Sequence, residues 1–311
     1  MRLLAHNRWA LAFAALFVAI VLLCLLAPVY AKKIAHTGPN TNHITETVSV
    51  DGKQVDVVSP TGVPIAPTWK GRFLLGADSN GRDVAVRLLY GGRNSLEIAA
   101  IATLLTMLLA IALGTLAGYA RGPLDAVLSR VFDIVWAYPA VLLGVALGVA
   151  LAVGGIDLGL FTLHGGSLLI PAFVIGIVFF PYVAKPLRAH ALSLREREFV
   201  DAARVEGRSP LQIMASEIVP NLASTIVVFV PLIVANAILL EAGLSYLGAG
   251  VQDPNPSWGT MIADGIRLIP GAIHLVLVPG IVLVLTVFSI NVFADAVRDA
   301  LDPKAALRGR L

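Results

Sequence analysis

Apolar residues gather into six runs long enough to cross a bilayer, at about 9–30, 96–119, 134–153, 168–183, 222–240 and 273–293. A hydrocarbon core of about 30 Å takes roughly 20 helical residues. In lipid each backbone N–H and C=O must find its partner within its own segment, so every run predicts a helix. The pattern therefore predicts an all-α, polytopic membrane protein with six transmembrane helices. The longest polar interval follows the first run and contains "HTGPNTNH" and "SPTGVPIAP". Within it "VSVDGKQVDVV" alternates about Asp51-Gly52, a type I′ turn signal that predicts a small hairpin.

Composition agrees with the pattern: 57% of the 311 residues are hydrophobic and 14% are charged. That balance excludes a water-soluble globule. The net charge of +3 is too small and scattered for a nucleic-acid surface, and it matters only for orientation. With the N-terminus inside, segments 1–8, 120–133, 184–221 and 294–311 hold 14 Lys and Arg, against 9 on the other side, 8 of them in the long stretch 31–94. Long translocated stretches weigh little in the positive-inside rule, so both termini are expected in the cytoplasm. The first run follows Arg2 and Arg8 and ends near "VYAKK". It exceeds a signal-peptide core, so it is expected to stay as an anchor. The expected organisation is a tail and anchor at 1–30, an extracytoplasmic loop at 31–94, a core at 95–294 with a cytoplasmic loop at 184–221, and a cytoplasmic tail at 295–311. The single cysteine, Cys24, lies inside an apolar run and supports no disulfide framework.

Chemistry is sparse. Glu97, Lys185, Glu241 and His274 all fall near run ends, whereas ion-driven carriers keep ionisable groups at mid-membrane. No H-E-x-x-H or G-x-S-x-G pattern occurs, and "GLSYLG" around Ser245 has the wrong spacing, so Ser245 is expected in a loop or interfacial helix. "DSNGRD" from Asp78 fails as a calcium loop, with Gly81 fourth and Leu89 twelfth, and Asp78 and Asp83 are read as helix-capping or salt-bridging residues. No phosphate loop occurs either: Gly52-Lys53 is followed by Gln54. No metal and no cofactor is expected on this chain, and energy for any pumping must come from another protein. Gly114 with Gly118, and Gly144 with Gly148, are small-residue pairs that let helices approach closely in lipid. They serve packing within the bundle, or a hinge or an interface with another subunit.

One segment breaks the apolar habit: "EREFVDAARVEGRSPLQIMASEIVP", residues 196–220. Ser193 with Glu196 fits a capping box, and Gly207 suits the left-handed position closing a helix that runs to about Glu206. Ser209, Pro210 and Gln212 then fit N-cap, N1 and capping-box positions, and Pro220-Asn221 punctuates the entry to the next run. Helix, corner, helix is the expectation. Phe199, Ala202, Ala203 and Glu206 share one face, flanked by Asp201 and Arg204. Two alanines mid-face leave a shallow seat for another protein. The competing reading is an amphipathic connector lying on the bilayer surface.

Asp201-Ala202-Ala203, Gly207 four residues on, and Val219-Pro220 resemble the "EAA" loop of permeases in binding-protein-dependent ABC importers. Asp201 takes the place of the usual Glu, and Glu217 stands where Ile is commoner. "GADSNGRDVAVRLLYGGRNSL" from Gly76, "LSYLGAGVQDPNPSWGTM" from Leu244 and "DAVRDALDP" from Asp295 are similar to signatures of the dipeptide, oligopeptide and nickel branch, C-type subunit. The resemblance implies a bacterial inner-membrane protein and half of a translocation path for peptides or a similar small solute. It implies a second, B-type permease, two cytoplasmic ATPase subunits or one fused ATPase holding ATP and Mg, and an extracytoplasmic substrate-binding protein. It assigns Phe199, Asp201, Ala202, Ala203, Arg204, Glu206, Gly207 and Pro220 to ATPase coupling. Asp78, Gly81, Arg82, Asp83, Tyr90, Arg93, Pro256, Trp258 and Gly259 fall on the binding-protein side. On the residues alone, an ATPase-independent channel or carrier stays open, as does a membrane anchor recruiting a soluble enzyme. Within the importer reading, nickel and glutathione stay open as cargo.

Overall fold

The computed structural model describes residues 8–50, 52–157 and 162–301. The chain before Arg8, Asp51 of the hairpin turn, and Asp302-Pro303 of the tail motif lie outside the described residues.

The elements that matter here are α1 (Arg8–Leu25), the strands β1 (Thr47–Val50) and β2 (Lys53–Asp56), then α2 (Val84–Ala120), α3 (Gly122–Ala137) and α4 (Ala140–Gly154). They continue with α5 (Leu169–Leu194), α6 (Glu198–Val205), α7 (Pro210–Ile213), α8 (Ala223–Tyr246), α9 (Trp258–Ile266) and α10 (His274–Leu301). Five of them, α1, α2, α5, α8 and α10, are long and apolar enough to span a membrane, and α3 with α4, bent by 94° at a short break, passes the same test only as a pair. The chain is a polytopic helical membrane protein.

The expected third span, 134–153, is corrected by this bend. Tyr138 is extended (ψ 138°) and Pro139 precedes α4. A proline drives the residue before it out of the α region, so one apolar run becomes two helices. The second run is corrected in the other sense: 96–119 is the C-terminal part of a 37-residue helix that begins at Val84. At 1.5 Å per residue α2 extends about 56 Å, well beyond a bilayer core, and a hydropathy window sees only its apolar part. The Ser193–Glu196 capping box does not form. Ser193 belongs to the last turn of α5, and α6 starts later, after Arg197, with no side-chain cap. The hairpin forms as two antiparallel strands in register Val50↔Lys53, with Gly52 at φ 81°.

Close packing rests on glycine. A Cβ on Gly114 would lie 2.7 Å from the Ala184 carbonyl, and one on Gly118 would lie 2.5 Å from that of Arg188. With Gly176 against Leu105, these contacts run in the same order along both helices, so α2 and α5 are parallel neighbours. Gly144 meets Leu244, and Gly148 meets the Ala249 carbonyl. All four paired glycines are therefore buried inside this chain, which corrects their candidacy for an interface with another permease.

The two ends of the bundle differ. One carries the hairpin, the loop up to Asp83, and α9, over a core that includes Ile98, Ile175, Ile238 and Trp258. The other carries α3, α6 and α7 over Phe132, Phe180, Val200, Ile213 and Ile218.

Candidate functional site

The polar insert folds as helix, corner, helix. Gly207 sits at φ 81°, the Gly207 N–H donates to the Arg204 carbonyl (3.0 Å), and the Arg208 N–H donates to Ala203 (3.2 Å). These are the two bonds of a Schellman closure. Ser209 then caps α7: the Gln212 N–H donates to Ser209 Oγ (3.4 Å), and the Ser209 N–H donates to Gln212 Oε1 (2.8 Å). Beyond Ile213 the chain stays helical through a widened π turn, Met214–Ile218, to Val219–Asn221, where Pro220 is exposed. Glu217 is used locally. Arg208 bridges Glu217 (2.8 Å) and Glu206 (2.8 Å), tying the corner to the second helix.

The face of α6 is only partly as expected. Phe199, Asp201, Ala202, Arg204, Glu206 and Gly207 are exposed, and Asp201 pairs with Arg204 (2.6 Å). Ala203 is turned inward instead, since Val200 and Ala203, three residues apart, form the stripe seated on the bundle core. Two residues were missed. Val205 is 89% exposed and Leu211 is 74% exposed, both on the corner. Their signal in the sequence is apolar character out of phase with the buried stripe. Phe199, Ala202, Val205 and Leu211 leave an uncovered apolar surface ringed by Asp201, Arg204, Glu206 and Arg208, the composition of a protein-docking patch.

At the opposite end the signature residues build a scaffold. Asp83 is the N-cap of α2: its Oδ1 accepts from the Val86 N–H (3.1 Å) and its Oδ2 accepts from Phe73 (2.7 Å). Burial raises its pKa against the lowering effect of those bonds. Asp78 accepts from the backbone N–H groups of Asn80 and Arg82 (2.9 Å each) and pairs with Arg82 (2.6 Å). Arg82 reaches Asp264 on α9 (3.6 Å), whose carboxyl is likewise raised by burial and held down by Arg87 and Arg82. Arg87, 1% exposed, lies 3.4 Å from Asp78 and donates to the Pro39 carbonyl (3.1 Å). Sequence reading missed Arg87; its only signal was a cation one turn into a helix that starts at an aspartate.

Gly81 adopts φ 69° hard against the backbone at His43, and Tyr90 packs beside Ala31 and Ala35. Trp258 is fully buried, with its indole N–H donating to the Leu88 carbonyl (3.2 Å) and its backbone N–H to Ser95 Oγ (3.3 Å). Asn94 donates to the carbonyl of the buried Pro256 (2.7 Å), and Gly259 lies against Ala242. Ser245, expected in a loop or interfacial helix, is in the last turn of α8. It donates to the fully buried Glu241 (2.6 Å) and accepts from the Val251 N–H (3.0 Å). Of the nine residues assigned to the binding-protein side only Arg93 is exposed; in the Trp258 loop, Asp253 and Pro254 are exposed.

Residues 110–307 match the family of binding-protein-dependent transport system inner membrane components. The chain belongs to that family. A putative peptide transport system permease protein of Brucella abortus is 36% identical over 80% of this chain and 81% of its own. The dipeptide transport system permease protein DppC of Alkalihalophilus pseudofirmus is 36% identical over 78% and 73%. The oligopeptide transport system permease protein OppC of Escherichia coli K12 is 33% identical over 96% and 88%. A chain of the MetNI methionine ABC transporter, solved in inward-facing conformations, superposes with a TM-score of 0.53 at 17% identity, over 70% of this chain and 96% of its own. That likeness concerns the fold. As an inner membrane component of a binding-protein-dependent system, this permease is a non-catalytic subunit.

Proposed function

We propose that this permease forms half of the path of an ATP-driven importer for peptides, with α6 and α7 as the seat of a cytoplasmic ATPase. The observation that carries it is the corner itself: a rigid, doubly capped helix pair at the end of a membrane bundle, with Phe199, Ala202, Val205 and Leu211 uncovered. A helix lying on a bilayer would present a broad apolar face, not a small one ringed by charges of both signs. The excess of Lys and Arg on the segments at this end supports its cytoplasmic position, with both termini on the same side.

The complete assembly comprises this subunit, a second B-type permease, two ATPase subunits or one fused ATPase that hold ATP and Mg, and an extracytoplasmic binding protein. The ATPase pair closes on ATP and shifts the bundle between inward- and outward-facing states through differential affinity for the two. The exposed Asp253-Pro254 and Arg93, carried on the Asp83–Arg87–Trp258 scaffold, meet the binding protein. Peptide cargo is supported by the names of the relatives, with nickel and glutathione as the alternatives.

Ala202→Glu places a charge in the centre of the docking surface and is expected to abolish co-purification of the ATPase while the permease pair stays together. Full ATPase retention in A202E would refute the assignment. Capture of the binding protein, followed by identification of its bound ligand, decides the cargo.

A further inference from the structure

The buried side chains that seat α6 on the bundle core, Val200 and Ala203, are small. The half-buried Tyr119 lies in the last turn of α2. Two guanidinium groups stand against its ring: that of Arg195, at the end of α5, 5.5 Å from the centroid, and that of Arg204, from α6, at 5.8 Å. Three further bonds fasten the same point. Arg195 donates to the Tyr119 carbonyl, and Arg204 donates to the Arg195 carbonyl (3.4 Å). Arg121, just past the end of α2, pairs with Glu196, just before α6. An aromatic face attracts cations electrostatically, more so where water is partly excluded. One ring thus joins three helices, between which no other ring pair or cation–π contact occurs among the described residues.

We propose that Tyr119 is the positioning residue that transmits displacement of α6 to α2 and α5. The claim rests on the reading of α6 as the ATPase seat. Arg204, on the rim of the docking patch, also turns its guanidinium to Tyr119 and Asp201, and so makes α6 move with α2 rather than slide past it. A cation–π pair at a part-exposed site biases an equilibrium by about two- to fivefold, and two pairs together by roughly five- to thirtyfold.

The test uses the assembled transporter in nanodiscs, with binding protein and cargo, comparing wild type, Tyr119→Phe, Tyr119→Leu and Arg195→Gln. The readouts are ATPase co-purification and the stimulation of ATP hydrolysis by loaded binding protein. Y119L is expected to keep the ATPase bound but lose at least about fivefold of the stimulation. Y119F keeps the ring and stays within about twofold of wild type. Y119L coupled as tightly as wild type overturns the proposal. If Y119L fails to assemble, R195Q decides: partial loss of stimulation in an intact complex supports the proposal, and wild-type coupling overturns it. A wild-type complex that binds no ATPase refutes the functional reading itself, a result distinct from any of these.

Discussion

Replacing Asp83 by alanine removes two anchors at once. One is the cap of the longest helix, given by Asp83 Oδ1 to Val86; the other is the bond from Phe73 to Oδ2, which fastens the polar loop to that helix. Loss of an N-cap aspartate costs about 1 kcal/mol. Leaving the buried Phe73 N–H without a partner adds about 1–3 kcal/mol. The total is about 2–4 kcal/mol, or roughly 3–6 °C in melting temperature for a chain of this size. Asp83→Asn keeps one oxygen acceptor, so D83N should lose about half as much. Cys24, the single cysteine, is buried against Gly92 near the same end, so a thiol-reactive dye reports this unfolding directly.

Acidity gives a second handle. Burial raises the folded pKa of Asp83 above 3.8, so the proton-linked stability is complete below 3.8 and is lost as pH rises through the raised value. The advantage of wild type over D83N should therefore narrow from acid toward neutral pH. D83A melting within a degree of wild type, or D83N falling below D83A, would show that Asp83 is not an anchor and that its role lies at the surface.

Three further outcomes follow from the geometry. Gly207→Val meets no atom within 4 Å but forces a branched side chain to φ 81°, so it should strain the corner by about 1–2 kcal/mol and reduce uptake while the fold melts normally; undiminished uptake counts against a rigid corner. Gly148→Ala drives a methyl to 2.3 Å from the Ala249 carbonyl and should cost about 1–3 kcal/mol by thermal melting, whereas Gly154→Ala, with nothing within 4 Å, should be neutral; equal effects would mean that α4 is not packed on that loop. Glu241→Leu deprives Ser245 of its acceptor and should speed amide exchange at Val251, with a loss of about 1–3 kcal/mol, whereas Glu241→Gln keeps an oxygen acceptor and should retain most of the protection.

What the sequence made legible was local. Gly207 with Ser209, Pro210 and Gln212 encodes its corner within six residues, and each of those choices is visible to propensity alone. The same logic failed at Ser193, because a Ser-x-x-Glu pattern also fits inside a helix that has not ended; α5 continues through Pro181 and Pro186 to Leu194, carried by its packing against α2. The bend at Tyr138-Pro139 was written in the sequence but outweighed by the apolar run around it. Of the scaffold, Asp83 as a helix cap and Asp78 as a salt-bridging residue were legible locally, but its long-range pairs were not. Asn94 and Pro256 are 162 residues apart, and Leu88 and Trp258 are 170 apart, so only the fold brings them together. Inward placement of Ala203 depended on which side of α6 the bundle occupies, a fact absent from a helical wheel.

Because α2 is one unbroken rod pinned at Asp83 and gripped near Tyr119, its length converts rotation into travel. A tilt of about 10° about the pinned end would sweep the other end through about 10 Å over a rod of about 56 Å. A nudge of one helical turn at the corner thus corresponds to only about half that angle along the whole bundle. Small angular changes suffice, and neither α2 nor its neighbour α5 needs to unwind to make them.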